Sequence, residues 1–150
     1  MKVFKKIIIF LLIAFVGIQF IPTTRNESTE ILKTDFAQHF DVPQDIQSLL
    51  KKSCYDCHSN NTSYPWYNKF QPVSWMLQNH VNNGKKELNF SEFGAYSNRK
   101  QKSKLKSIIS QIRDDEMPLF SYTIIHGDAK LSESDKNLIM AWLTKLRDDL

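Results

Sequence analysis

A chain of 150 residues with 20 basic and 16 acidic residues and a net charge of +4 leaves room for one domain plus accessories. The mild positive charge permits docking to an acidic partner or an anionic membrane surface, and no nucleic-acid motif accompanies it. A phosphate-binding glycine loop and an internal repeat are both missing, which excludes the common nucleotide-binding and solenoid classes.

The chain opens with a targeting pattern. Lys2, Lys5 and Lys6 precede an apolar run from Ile7 to Ile21 that only Gly17 and Gln19 interrupt. Residues 1–22 therefore read as a signal peptide or an uncleaved membrane anchor. No A-x-A-like cleavage site succeeds the run, so the anchor is the preferred reading. The positive flank stays in the cytoplasm and the rest of the chain is exported. Residues 23–40 are polar and aperiodic and read as a flexible tether, with His39 a surface residue near its end.

From Asp41 the pattern becomes helical. Asp41 is a candidate cap with Pro43 in the first turn, and Val42, Ile46, Leu49, Leu50 and Cys54 fall at helical spacing. This stripe runs directly into Cys54-Tyr55-Asp56-Cys57-His58, a C-x-x-C-H pentapeptide. Two thiols three positions apart can reach the two vinyl groups on one edge of a porphyrin, and the adjacent imidazole can ligate its iron. Both cysteines of the chain are in the motif, so none is left over for a disulfide. Two alternatives stand beside this reading. A redox C-x-x-C usually accompanies a βαβ pattern, which is missing here. A zinc site would use Cys54, Cys57 and His58 but needs a fourth ligand, and His39, His80 and His126 are scattered singly.

Residues 59–71 form a loop punctuated by Asn60, Asn61, Ser63 and Pro65 and closed by Pro72. Trp66 and Tyr67, with Trp75 just beyond, are the aromatics expected to pack on a haem. Val73, Met76, Leu77, His80 and Val81 form a second helical stripe closed by Asn83-Gly84, with Met76 in the core and His80 a rival iron ligand. Leu88, Phe90, Phe93 and Tyr96 are buried anchors of an irregular stretch. Arg99 to Lys106 is a basic run, either a solvated helix face or a docking patch, and Leu105, Ile108, Ile109 and Ile112 form the third stripe, ending near Glu116. Met117-Pro118 comes next. A Met before a helix-stopping Pro is where many cytochromes c present their second axial ligand, which makes Met117 the expected distal ligand, with His80, His126 or an open position as alternatives. Ser132 and Asp135 resemble a capping box, and the last helix presents Ile139, Trp142, Leu143 and Leu146, expected to cross the first helix and close the haem pocket.

The stretch Cys54–Tyr67, then Gln71-Pro72-Val73-Ser74-Trp75, then Leu88-Asn89-Phe90-Ser91-Glu92, resembles the bacterial haem-binding domain family, small exported proteins with one C-x-x-C-H. The resemblance covers roughly Asp41 to Leu146 and implies covalent haem c, one per chain, at Cys54, Cys57 and His58. The expectation is thus an all-α, cytochrome c-like domain over residues 41–150, wrapped around one covalent haem and preceded by a signal or anchor helix. The functional expectation is a periplasmic electron carrier, not an enzyme, with His/Met ligation and redox partner proteins. A haem-based enzyme or a gas or redox sensor is the alternative.

Overall fold

The computed structural model describes residues 2–150 and contains helices and turns only, with no strand among the described residues. Eight α-helical segments succeed one another in chain order: α1 (Lys2–Ile18), α2 (Phe36–His39), α3 (Gln44–Ser53), α4 (Tyr55–His58), α5 (Val73–Glu87), α6 (Asn98–Arg113), α7 (Phe120–Thr123) and α8 (Glu133–Asp149). Three short 3₁₀ turns, Trp66–Lys69, Phe90–Ala95 and Gly127–Ala129, shape the connections.

The core forms where α3, α6 and α8 meet the Phe90–Ala95 turn. Ile46 and Leu50 of α3, Leu105, Ile108 and Ile112 of α6, and Ile139 and Leu143 of α8 are buried together with Phe90 and Phe93. These are the apolar stripes of the sequence, and each buries the face its 3.6-residue period defines. The start of α8 is also as expected: Ser132 accepts from the Asp135 amide while the Asp135 carboxylate accepts from the Ser132 amide, a reciprocal capping box.

Five local expectations are corrected. The ordered domain begins before Asp41: Asp35 caps α2 through the Ala37 amide, and Phe36 is fully buried with its ring edge-on to Phe40, Phe90, Phe93 and Trp142. One aromatic residue in a polar stretch has no period to reveal it. The N-cap of α3 is Pro43 rather than Asp41, and no side chain caps it. Helix α5 continues through Asn83-Gly84 to Glu87, because Gly84 serves close packing rather than a turn. Met76 is 61% exposed, so it is not a core residue. Finally, α8 packs on α6 and α3 but contributes no residue to the large cavity of the molecule, so it backs the core instead of closing a pocket.

Helix α1 has 17 residues and none of them is buried. Among the described residues no helix is long and apolar enough to cross a membrane, so the expectation of an anchor helix gains no support from the length of α1. Its end is nevertheless tied to the domain. Gln19 donates through Nε2 to the Gln71 carbonyl (3.1 Å) and accepts from the Gln71 amide (2.9 Å), while Gln71 Nε2 donates to the Ile21 carbonyl (2.9 Å).

Candidate functional site

The C-x-x-C-H motif sits at the break between two helices. The chain leaves α3 at Cys54, whose φ of −130° ends the helix, and resumes as the single turn α4. Amides of Cys57 and His58 both donate to the Cys54 carbonyl, at 3.2 and 2.9 Å, so the turn is closed by the motif itself. Behind it runs α5. A Cβ built on Gly84 would lie 2.6 Å from the Cys57 carbonyl oxygen. Only glycine permits this approach, and the contact fixes the distance between the motif and α5.

That proximity sets the histidine. His58 Nδ1 lies 2.9 Å from the Gly84 carbonyl and 3.1 Å from the Leu88 carbonyl. Both partners are acceptors, so Nδ1 carries the proton and donates. Nε2 is thereby left with its lone pair, the state a metal-ligating imidazole needs. Burial lowers the His58 pKa, against the opposing pull of those two carbonyls. Burial likewise pushes the Cys54 thiol up to about 12 and the Cys57 thiol up to about 11, so both are neutral S–H groups at pH 7. Both are free.

Cys54, Cys57 and His58 all face a cavity of about 460 Å³. That volume is within the range of small-molecule and cofactor pockets. The second wall is the edge of α6 bearing Ser107, Ile108, Gln111 and Ile112, with Leu88, Phe90 and Leu131 completing an apolar lining. The third is the segment Met117–Leu119. Asp115 takes the left-handed conformation (φ 57°) just after α6, and the Gln111 carbonyl accepts from both the Glu116 and the Met117 amides. This turn folds Met117 back over the end of α6, onto the same cavity as His58. His80 lies on the wall as well, from α5.

Hydrogen bonds tie the motif, and Ser53 just before it, to the segment that follows this wall. Tyr122 donates its hydroxyl to Asp56 Oδ2 (2.6 Å), and Asp56 Oδ1 accepts from the Ser63 amide (3.1 Å). Ser53 donates to the Ala129 carbonyl (2.8 Å) in a buried contact. The Tyr122 hydroxyl is pushed well above the usual phenol range, by burial first and by the Asp56 carboxylate next. The sequence reading takes Gly84 as a helix terminator and gives no part to Asp56 or Tyr122. Asp56 is visible inside the motif, and Gly84 owes its place to close packing on Cys57. Tyr122 carried no signal, since its partner lies 66 residues away.

The other sequence candidates lie elsewhere. Trp66 is 74% exposed, and neither it, Tyr67 nor Trp75 lines the cavity. Tyr67 is within hydrogen-bond distance of His126 Nε2 (2.7 Å), and His126 stacks on Tyr122 at 4.4 Å. His126 therefore supports Tyr122 from behind and does not face the cavity. Among the described residues no group of three or more His, Cys, Asp or Glu side chains converges as ligands for a bare metal ion, so the zinc alternative lacks geometric support.

The residues present fit an iron tetrapyrrole. Two neutral thiols, one imidazole with its second nitrogen already bonded, and one thioether converge on a mostly apolar cavity, which is the donor set such a group takes. Lys104 is the one Lys or Arg on the wall and lies 3.8 Å from Glu87 at its edge, so a cation is at hand for an acidic substituent.

A family model described as "Haem-binding domain" matches residues 13–145, which is most of the chain. No curated protein and no solved structure matches the chain.

Proposed function

Because this chain belongs to the haem-binding domain family, we propose that its cavity holds one haem c and that the protein is an exported electron carrier. The carrying observation is the His58 arrangement: Nδ1 saturated by two backbone carbonyls, Nε2 free, beside two neutral thiols on one apolar cavity. When bound, the cofactor supplies the one-electron iron couple.

The chain's own residues have defined tasks. His58 ligates from the motif side, and the Gly84 and Leu88 carbonyls keep its ring oriented and raise its basicity. Cys54 and Cys57 would hold the cofactor covalently, their S–H groups adding across its two vinyl groups with no net oxidation. Met117, which the Asp115 turn brings onto the cavity, would be the second ligand. The Leu88, Phe90, Ile108 and Leu131 lining excludes water, which together with a thioether ligand raises the potential. The lysines at the start of α1 and the apolar run after them support export, with the domain on the periplasmic side and a redox partner protein as its counterpart.

The test is a pair of variants. Met117→Ala should abolish the methionine–iron charge-transfer absorption and lower the reduction potential, while His80→Ala should leave both unchanged. The reverse outcome transfers the second ligand to His80. One observation favours a gas-binding or enzymatic reading instead: His80, Gln111 and Tyr122 place polar groups around the same cavity. Rapid binding of carbon monoxide by the untreated reduced protein would select that reading.

A further inference from the structure

Large apolar side chains are exposed in a pattern that the cavity does not explain. Trp66 (74%), Phe70 (49%) and Met76 (61%) stand on the loop and first turn of α5. Phe20 (82%) and Ile21 (52%) stand at the end of α1, all of whose residues are exposed or nearly so. The Gln19–Gln71 and Gln71–Ile21 hydrogen bonds hold these two groups together, and Thr23 Oγ1 pairs with the buried Ser74 hydroxyl at 2.7 Å. The two groups of exposed apolar residues are thus held on neighbouring segments, and a cluster of this kind exceeds the solitary exposed residues that need no explanation.

The charge distribution has the same division. The first acidic residue of the chain is Glu27, and none occurs between Asp56 and Glu87. Those two stretches, which supply the whole of this surface, carry seven of the 20 basic residues and none of the 16 acids. The rest of the chain holds more acids than bases. Apolar and aromatic groups on segments whose own charges are all positive, with Arg25 drawn to Glu27 (3.3 Å) at their border, suit an anionic bilayer: rings enter the interface while lysines meet the headgroups. A second copy of this chain would bring the same positive charge to the contact, and an acidic protein would leave the apolar length of α1 uncovered.

We propose that this face, comprising α1 with Trp66, Phe70 and Met76, seats the domain on an anionic lipid surface. The seat rests on retention of the N-terminal segment in the mature protein and is independent of haem ligation.

The experiment uses the full-length haem-loaded chain, with the presence of α1 checked by intact mass, on vesicles of phosphatidylethanolamine and phosphatidylglycerol. A benzoylphenylalanine photo-crosslinker replaces Phe70, Met76 or, as a control on α8, the exposed Leu138. Lipid adducts at positions 70 and 76 and none at 138 are expected. The variant carrying W66S, F70S and M76S should partition roughly tenfold more weakly, with the haem spectrum unchanged, since each lost apolar contact reduces interfacial burial. Adducts to a second protein copy at position 70, no adduct there, or equal binding to neutral phosphatidylcholine vesicles would each overturn the proposal. A colourless chain that still gives lipid adducts at 70 and 76 would support the seat while ending the haem reading.

Discussion

The molecule has a solid half and a hollow half, and they are built differently. In the solid half α3, α6 and α8 bury aliphatic side chains against Phe36, Phe90 and Phe93. In the hollow half α4, α5 and the Met117–Tyr122 segment surround a cavity and touch each other mainly through backbone, a glycine and a few hydrogen bonds. The comparison teaches that side-chain volume organises one half, whereas in the other a fixed backbone frame waits for volume supplied from outside the chain. Helix α6 belongs to both: Leu105 is on the core, Gln111 on the cavity, and Ile108 and Ile112 on both.

The largest expected effect probes the solid half. Phe36→Ala removes a fully buried ring with four aromatic neighbours and should cost about 3–5 kcal/mol in chemical denaturation, with or without haem. A loss near zero would show that the segment before Asp41 is not part of the domain. Gly84→Val tests the hollow half. Its side chain meets the Cys57 backbone, which cannot yield as a side-chain tip could, so a cost of about 1–3 kcal/mol is expected. The yield of haem-loaded protein should drop with it. Normal yield and stability would mean that α5 and the motif can separate freely.

Tyr122→Phe separates frame from filling. It leaves Asp56 without its 2.6 Å donor and should cost about 1.5–2 kcal/mol, the lower part of the range for hydrogen bonds to charged groups because the site is half-buried. The core should be untouched, so hydrogen exchange should rise in residues 117–131 and not in α8. Uniform exchange across both would contradict the division.

The last effect is a pH dependence of the haem-free chain. Burial holds the His58 pKa below its ordinary 6.5, so the unfolded chain binds more protons as acid is added. Stability is complete above about pH 6.5 and falls as pH drops below it, and His58→Gln should remove that slope. The cysteines act at the other end. Their folded pKa values lie above the ordinary 9.0, so stability is full below pH 9 and falls as pH rises toward 11 and 12. A haem-free chain with flat stability between pH 5 and 8 would show that His58 is not buried in it.

The same division explains what the sequence could reveal. Ile46, Leu50, Leu105, Ile139 and Leu143 repeat at helical spacing because they pack on other helices, and they are buried as their periods require. Helix α5 does not obey this logic. Of its apparent stripe Val81 is buried but Val73 and Met76 are exposed, and its inner edge also uses Ser74 and Gly84, since it approaches backbone rather than side chains. Cys54, Cys57 and His58 stand out in the sequence because they lie within five residues, and the fold brings all three to one cavity. The shared cavity of His58 and Met117 was anticipated from a Met-Pro pair, but the Asp115 turn that produces it carries no compositional mark. Tyr122 and Ser53 were invisible for a related reason: each is defined by a partner far away in the chain.

The most direct measurement is an optical spectrum of the purified protein, oxidised and reduced, combined with denaturing electrophoresis and intact mass. The account predicts a haem spectrum, pigment that stays with the denatured chain, and the added mass of one haem. The pigment should stay no longer with the chain once Cys54 and Cys57 are both replaced by serine. A colourless product from cells with active haem-attachment machinery, or pigment that separates from the wild-type chain on denaturation, would contradict it.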